Sequence, residues 1–425
     1  MAATATMAMP LANRLRCKPN TNSSSPSRTL FGRRLQLASC RAHACRMCRG
    51  SAVSGSAIMS AAADVAAAVR REEDEEMRSY LSPEKLEVLT QMEPWVEEHV
   101  LPLLKPVEAA WQPSDLLPDP AVLGGEGFHA ACAELRERAA GVPDLLLVCL
   151  VANMVTEEAL PTYQSSLNRV RAVGDLTGAD ATAWARWIRG WSAEENRHGD
   201  VLNRYMYLSG RFDMAEVERA VHRLIRSGMA VDPPCSPYHA FVYTAFQERA
   251  TAVAHGNTAR LVGARGHGDA ALARVCGTVA ADEKRHEAAY TRIVSRLLEA
   301  DPDAGVRAVA RMLRRGIAMP TSPISDGRRD DLYACVVSLA EQAGTYTVSD
   351  YCSIVEHLVR EWRVEELAAG LSGEGRRARD YVCELPQKIR RMKEKAHERA
   401  VKAQKKPISI PINWIFDRHV SVMLP

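Results

Sequence analysis

Glu195-Asn-Arg-His198 and Glu283-Lys-Arg-His286 each place a carboxylate and an imidazole three residues apart, inside stretches otherwise rich in apolar and aromatic residues. On a helix such neighbours share one face, about 5–6 Å apart at their Cβ atoms, and can grip one cation together. Glu-x-x-His occurs four times in the chain, so spacing alone decides little. Context separates the four. Glu126–His129 follows Gly124-Gly125 and reads as a turn, while Glu394–His397 lies in a Lys- and Arg-dense segment that reads as a solvated face.

For the other two, the helical period assigns an inward position. Trp184, Ile188, Trp191, Glu195, His198, Leu202 and Tyr205 form one stripe; Leu272, Val275, Cys276, Val279, Glu283, His286 and Tyr290 form another. Lys284 and Glu287 fall off the second stripe and are expected to face outward. An unpartnered buried carboxylate costs several kcal/mol, so both pairs need neutralising. An arginine network could do this, with Arg197 and Arg285 nearest in sequence, or a metal could. Metal demands further ligands, and two candidates stand on suitable faces. A stripe through Leu146, Leu150 and Met154 reaches Glu157 rather than Glu158, and Glu248 shares a face with Phe241, Thr244, Thr251 and His255. The order is then Glu, Glu-x-x-His, Glu, Glu-x-x-His, with spans of 38 residues (157 to 195) and 35 (248 to 283). Each span fits two helices and a turn. This is the ligand plan of a di-iron carboxylate bundle, and hard anionic oxygen donors suit iron.

The elements that must carry these residues are helical. From about Asp64 onward, apolar residues recur at helical spacing and no segment sustains period-two alternation, so the domain 64–425 is expected to be all-α. Breaks fall at turn clusters such as Leu117-Pro-Asp-Pro120, Val231-Asp-Pro-Pro-Cys-Ser-Pro237 and Met319-Pro-Thr-Ser-Pro323. Residues 1–63 contain no acid and nine Lys or Arg, the composition of an organelle transit peptide, which points to a soluble protein of the plastid stroma, with the mitochondrion as the alternative. Removing those nine charges from the net +3 leaves about −6 (3 − 9), which argues against a nucleic-acid partner. No apolar run reads as long enough to span a bilayer. Four of eleven cysteines, including the Cys45-Arg-Met-Cys48 pair, belong to the leader, and the other seven are scattered without ligand spacing.

Several longer motifs now carry a resemblance: TEEALPTYQ (156–164), WSAEENRHGDVLNRYMYLSGR (191–211), FQERAT (246–251), HGNTAR (255–260), ADEKRHEAAYTRIV (281–294), RDYVCELPQKIRRM (379–392) and WIFDRHV (414–420). In these the chain resembles the plant soluble acyl-acyl-carrier-protein desaturases, the stearoyl-carrier-protein desaturase family, from about residue 75 to the C-terminus. The resemblance implies a ferritin-like di-iron four-helix bundle with additional flanking helices, as a homodimer. It implies one Fe(2+) on Glu157 and His198, a second on Glu248 and His286, and Glu195 and Glu283 bridging, two irons per subunit. It further implies insertion of a cis double bond into a saturated acyl chain on acyl carrier protein, with electrons from ferredoxin and with dioxygen.

Thr251 matches the family threonine beside the dioxygen site and is assigned proton handling. A metal-bound imidazole gives its outer N–H to a carboxylate, carbonyl or water, and Asp282 and Glu194 are placed for that role. Trp111 matches the tryptophan on the family's electron route through Asp282 and His198. Departures from the familiar members gather where an acyl chain would lie, giving Ser166, Arg169, Val170, Val231, Pro233, Ala240 and Phe241 as pocket candidates. These put chain length and bond position in play. Arg311, Arg314 and Arg315, or Arg376, Arg377 and Arg379, are candidates to dock the acidic carrier protein. An iron store or a ribonucleotide reductase small subunit would share the bundle, though the latter would use Asp for one ligand.

Overall fold

The computed structural model describes residues 78–228, 236–263, 266–403 and 406–423. The leader 1–63 and the pocket candidates Val231 and Pro233 lie outside the described residues.

Helices dominate the described chain. The first are α1 (Pro83–Gln91), α2 (Glu93–His99), the short α3 (Pro113–Leu116) and α4 (Pro120–Ala140). Then come α5 (Asp144–Glu158), α6 (Leu160–Leu167), α7 (Ala183–Ser209), α8 (Met214–Ser227), α9 (Pro237–Val262) and α10 (Ala270–Ala300). The last are α11 (Pro302–Arg315), α12 (Leu332–Ala343), α13 (Val348–Glu361) and α14 (Gly373–Ala403). Local chemistry fixes the ends of the long helices. Ala185 N–H donates to the Thr182 hydroxyl at the start of α7, Leu272 N–H donates to the Asp269 carboxylate at the start of α10, and Gly210 at φ 65° stops α7.

α5, α7, α9 and α10 form the central bundle of a ferritin-like, all-helical fold, with the remaining helices packed around it. Its core is two apolar bodies. One joins Trp184, Trp187, Phe241, Tyr290 and Ile293; the other joins Leu146, Leu150, Leu202, Tyr205, Leu272 and Val275. The N-terminal half of α7 and the C-terminal half of α10 share the first body, and their opposite halves share the second, so the two helices run antiparallel. Between the bodies lies a belt in which Glu195, His198, Glu283 and His286 are all buried.

Four sequence expectations are corrected. Residues 144–167 are apolar enough to cross a bilayer by composition, but 72% of the most apolar 18-residue window within them is buried in protein, and Ala159 breaks the stretch between α5 and α6. Glu126 and His129 are not in a turn; both are exposed on α4, beyond a kink at Gly124 (φ 66°). The chain is not wholly without strands. Ile408–Ile412 (β1) pairs antiparallel with Arg418–Val422 (β2), Ile410 opposite Val420, burying Ile410, Ile412, Val420 and Val422 on one face. Finally, Glu287 faces inward. It is 7% exposed and takes Arg249 Nη1 at 2.6 Å and His357 Nε2 at 3.0 Å, because α10 packs α13 as well as α7 and α9 and so has a second buried face.

Candidate metal centre

Glu157 from the last turn of α5, Glu195 and His198 from α7, Glu248 from α9, and Glu283 and His286 from α10 converge in the belt. They make two tetrads whose ligand atoms lie within 4.8 Å of one another: Glu157, Glu195, His198 and Glu283, then Glu195, Glu248, Glu283 and His286. Glu195 and Glu283 belong to both. His198 Nδ1 lies 3.4 Å from both Glu195 Oε2 and Glu283 Oε1, and 3.8 Å from Glu157 Oε2. His286 Nδ1 lies 2.6 Å from Glu195 Oε1 and 3.6 Å from Glu248 Oε2.

These inner atoms approach without bonding. His198 Nδ1, His286 Nδ1, Glu195 Oε1 and Glu283 Oε1 are buried with no hydrogen-bond partner, including the pair at 2.6 Å, whose angle fits no hydrogen bond. Buried polar atoms are normally paired, so a converging set of orphans is what a cation would satisfy. The electrostatics agree. Burial alone would depress the His198 and His286 pKa values, but the surrounding carboxylates raise both well above the ordinary imidazole value. Burial pushes Glu157 and Glu248 up, and the neighbouring carboxylates add to it. Without cations, protons carry the positive charge this centre requires.

Outside the tetrads a second layer of bonds orients them. His286 Nε2 meets Glu194 Oε2 at 3.0 Å, whereas His198 Nε2 lies 3.5 Å from Asp282 Oδ2 without a hydrogen bond. Arg285 donates to Glu194 (2.7 Å), Asp282 (2.6 Å) and the Leu103 carbonyl (2.7 Å). Lys105 adds its ammonium to Asp282 and its backbone N–H to Glu194, each at 2.7 Å. Burial raises the Glu194 pKa, but His286, Arg285 and the Lys105 N–H outweigh it and hold the carboxyl at about 2. An arginine network therefore does exist beside the centre, and it neutralises these outer acids. Arg197 takes no part in it; its guanidinium lies 5.5 Å from the Trp111 ring. Trp111 Nε1 donates to Asp282 Oδ2 at 2.7 Å, with its ring parallel to that of His198 at 6.3 Å.

Two positioning contacts are invisible to helical periodicity. His255 Nε2 pairs with Glu157 Oε1 at 2.9 Å, and Trp191 Nε1 donates to Glu248 Oε1 at 3.0 Å. The period puts His255 and Trp191 on the correct faces, but nothing local says which carboxylate each meets.

An apolar cavity of about 100 Å³ opens directly on Glu157, Glu195, Glu248 and Glu283. Thr251 lines it, its hydroxyl donating to the helix at Gln247 O (3.1 Å) and Glu248 O (3.0 Å). Of the pocket candidates, Ser166, Val170 and Ala240 line this cavity. Arg169 does not; it is exposed just past the end of α6, where water solvates its charge. Phe241 does not either, since its ring turns away to stack on Trp184 (5.2 Å). A second, mostly apolar cavity between α5, α12 and the 317–321 segment shares Thr156 in its lining with the first. Among the basic candidates, Arg311 is buried, whereas Arg314, Arg315, Arg376 and Arg377 are exposed on the packed helices α11 and α14.

A family model described as fatty acid desaturase matches residues 84–416. The chain belongs to this family. Over all 425 residues of both chains it is 96% identical to acyl-(acyl-carrier-protein) desaturase 6, chloroplastic, of Oryza sativa subspecies indica. It is 70% identical over 370 residues to desaturase 7 of the same name and subspecies, covering 86% of this chain and 91% of that one. A more distant member, stearoyl-(acyl-carrier-protein) 9-desaturase 2, chloroplastic, of Arabidopsis thaliana, is 52% identical over 342 residues, 80% of this chain and 82% of that one. The matched span of the family model contains every residue of both tetrads.

Proposed function

We propose that this chain is a plastid stromal acyl-carrier-protein desaturase that places a cis double bond in a saturated acyl chain, drawing electrons from ferredoxin and using dioxygen. The observation that carries the reading is the pair of tetrads sharing Glu195 and Glu283 beside an apolar cavity. Four carboxylates contribute −4 and two divalent cations +4, so two Fe(2+) per subunit leave the buried centre neutral with both imidazoles uncharged. Glu157 and His198 would hold one and Glu248 and His286 the other, with Glu195 and Glu283, which belong to both tetrads, available to each. The bound irons supply the oxidising power that breaking two unactivated C–H bonds requires.

The protein's part is position and proton management. His255 and Trp191 fix Glu157 and Glu248 from behind. Glu194 takes the outer nitrogen of His286 and so sets its tautomer, and Asp282 stands beside that of His198 to do the same. The Thr251 hydroxyl, bonded to its own helix, can turn to pass a proton at Oγ1 into the cavity. The saturated chain lies in the cavity with its reacting methylenes against the acids, and the carrier end leaves through the second cavity past Thr156. Exposed arginines at the α11–α14 surface suit the acidic carrier, and the protein works as a homodimer. An iron store has no use for an apolar cavity opening on its metal ligands.

Metal analysis and product mass analysis test this together. Two irons per chain, with a double bond formed in palmitoyl or stearoyl carrier protein when ferredoxin and dioxygen are supplied, are expected. Iron-loaded protein that leaves every acyl carrier saturated would overturn it.

A further inference from the structure

The cavity follows one face of α9, since His239, Tyr243, Thr244, Gln247, Glu248 and Thr251 all line it. At its end farthest from the acids stands a polar group with no part in the chemistry above. His239 is 1% exposed, its ring pinned by a 2.8 Å bond between Nδ1 and the Ser236 hydroxyl and by an edge contact on Tyr80 at 4.6 Å. Its Nε2 is buried and has no protein partner. Burial, with Arg311 and Arg315 nearby, lowers its pKa to about 3, so the ring is neutral at any working pH. Val170, Ala240 and Met312 add apolar side chains to the lining of the same cavity.

We propose that His239 is a polar stop at the inner end of the cavity, selecting acyl chains whose methyl end falls short of Nε2. This rests on the desaturase reading for the identity of the occupant. His239 and Glu248 are nine residues apart (248 − 239) on one helix, about 13.5 Å of rise. An extended chain advances about 1.2 Å per bond. After a methyl-to-imidazole contact of about 4 Å, roughly eight bonds fit beyond the reacting pair. A chain ending sooner leaves room for a water on Nε2, whereas a longer one excludes it and leaves a buried polar atom unpaired. That difference is worth about tenfold in affinity.

Two variants of nearly equal size separate polarity from bulk. His239→Leu removes the polar stop, and His239→Asn keeps one. The assay is kcat/KM on myristoyl, palmitoyl and stearoyl carrier proteins, together with thermal-shift binding of the matching free fatty acids. Relative to wild type, His239→Leu is expected to move preference about tenfold toward the longest chain in both readouts, while His239→Asn stays near wild type. An unchanged ratio in His239→Leu, or equal shifts in both variants, overturns the proposal. If no carrier is desaturated but the length-dependent binding still shifts in His239→Leu alone, the activity reading falls and the stop stands.

Discussion

Removing the charge of a shared carboxylate should behave differently from removing that of an unshared one. Glu195 contributes to both tetrads and Glu157 to only one. A carboxylate about 4 Å from a unit charge contributes about 4 kcal/mol at an effective dielectric constant of about 20. Deleting that charge beside a divalent ion therefore costs about three decades of affinity or more. Glu157→Gln should lose this at one ion; Glu195→Gln should lose it at both. After iron loading and dialysis against a competing chelator, wild type is expected to keep two irons per chain, Glu157→Gln close to one, and Glu195→Gln close to none. The count is made by elemental analysis, with thermal unfolding as the check that each variant is folded. If both variants lose iron equally, or neither does, the shared-ligand arrangement is wrong.

Arg285→Met takes from two buried acids, Asp282 and Glu194, at 0% and 3% exposure, their shared guanidinium while Lys105, Trp111 and His286 stay on them; losing charge-assisted bonds costs about 1.5–3 kcal/mol, and a matching fall in the unfolding midpoint is expected, larger than for Lys105→Met, whose backbone bond to Glu194 survives. His255→Leu should weaken only the iron beside Glu157, by about 10–100-fold, seen as loss of the weaker of two phases in a chelator titration. Burial pushes the Cys149 thiol up to about 11 and, with Asp269 adding, the Cys276 thiol up to about 12, against an ordinary 9.0. Both should therefore resist iodoacetamide at mildly alkaline pH until urea is added. Because folding raises these pKa values, the stability they contribute is complete below pH 9 and is lost as pH climbs towards 11 and 12, which alkaline thermal melts would register.

The legible part of this site follows from helical geometry. A residue's face on a helix depends only on its neighbours in sequence, so the stripes through Glu195 and Glu283 can be drawn from residue spacing alone, and the inward side chains do meet. Partners across helices obey no such period. Lys105 reaches Asp282 and His255 reaches Glu157 over long separations, and no local pattern couples them. Glu287 defeats the period because one stripe cannot describe a helix packed on several sides. The hairpin hides in two five-residue strands, one interrupted by Pro411, too short for alternation to stand out. Arg169 lies close in sequence to the cavity wall, but the turn after α6 sends it to solvent.

α9 carries Glu248, Thr251 and His239 on one unbroken rod. The interval between chemistry and cavity end is thus a ruler graduated in helical turns and independent of any loop. Evolution can trim the measured length by exchanging side chains along the rod. Inserting or deleting one residue between His239 and Glu248 would instead swing the far marks by about 100° and point them into the wall, so new preferences in such a protein should arise through substitution, with the helix's length conserved.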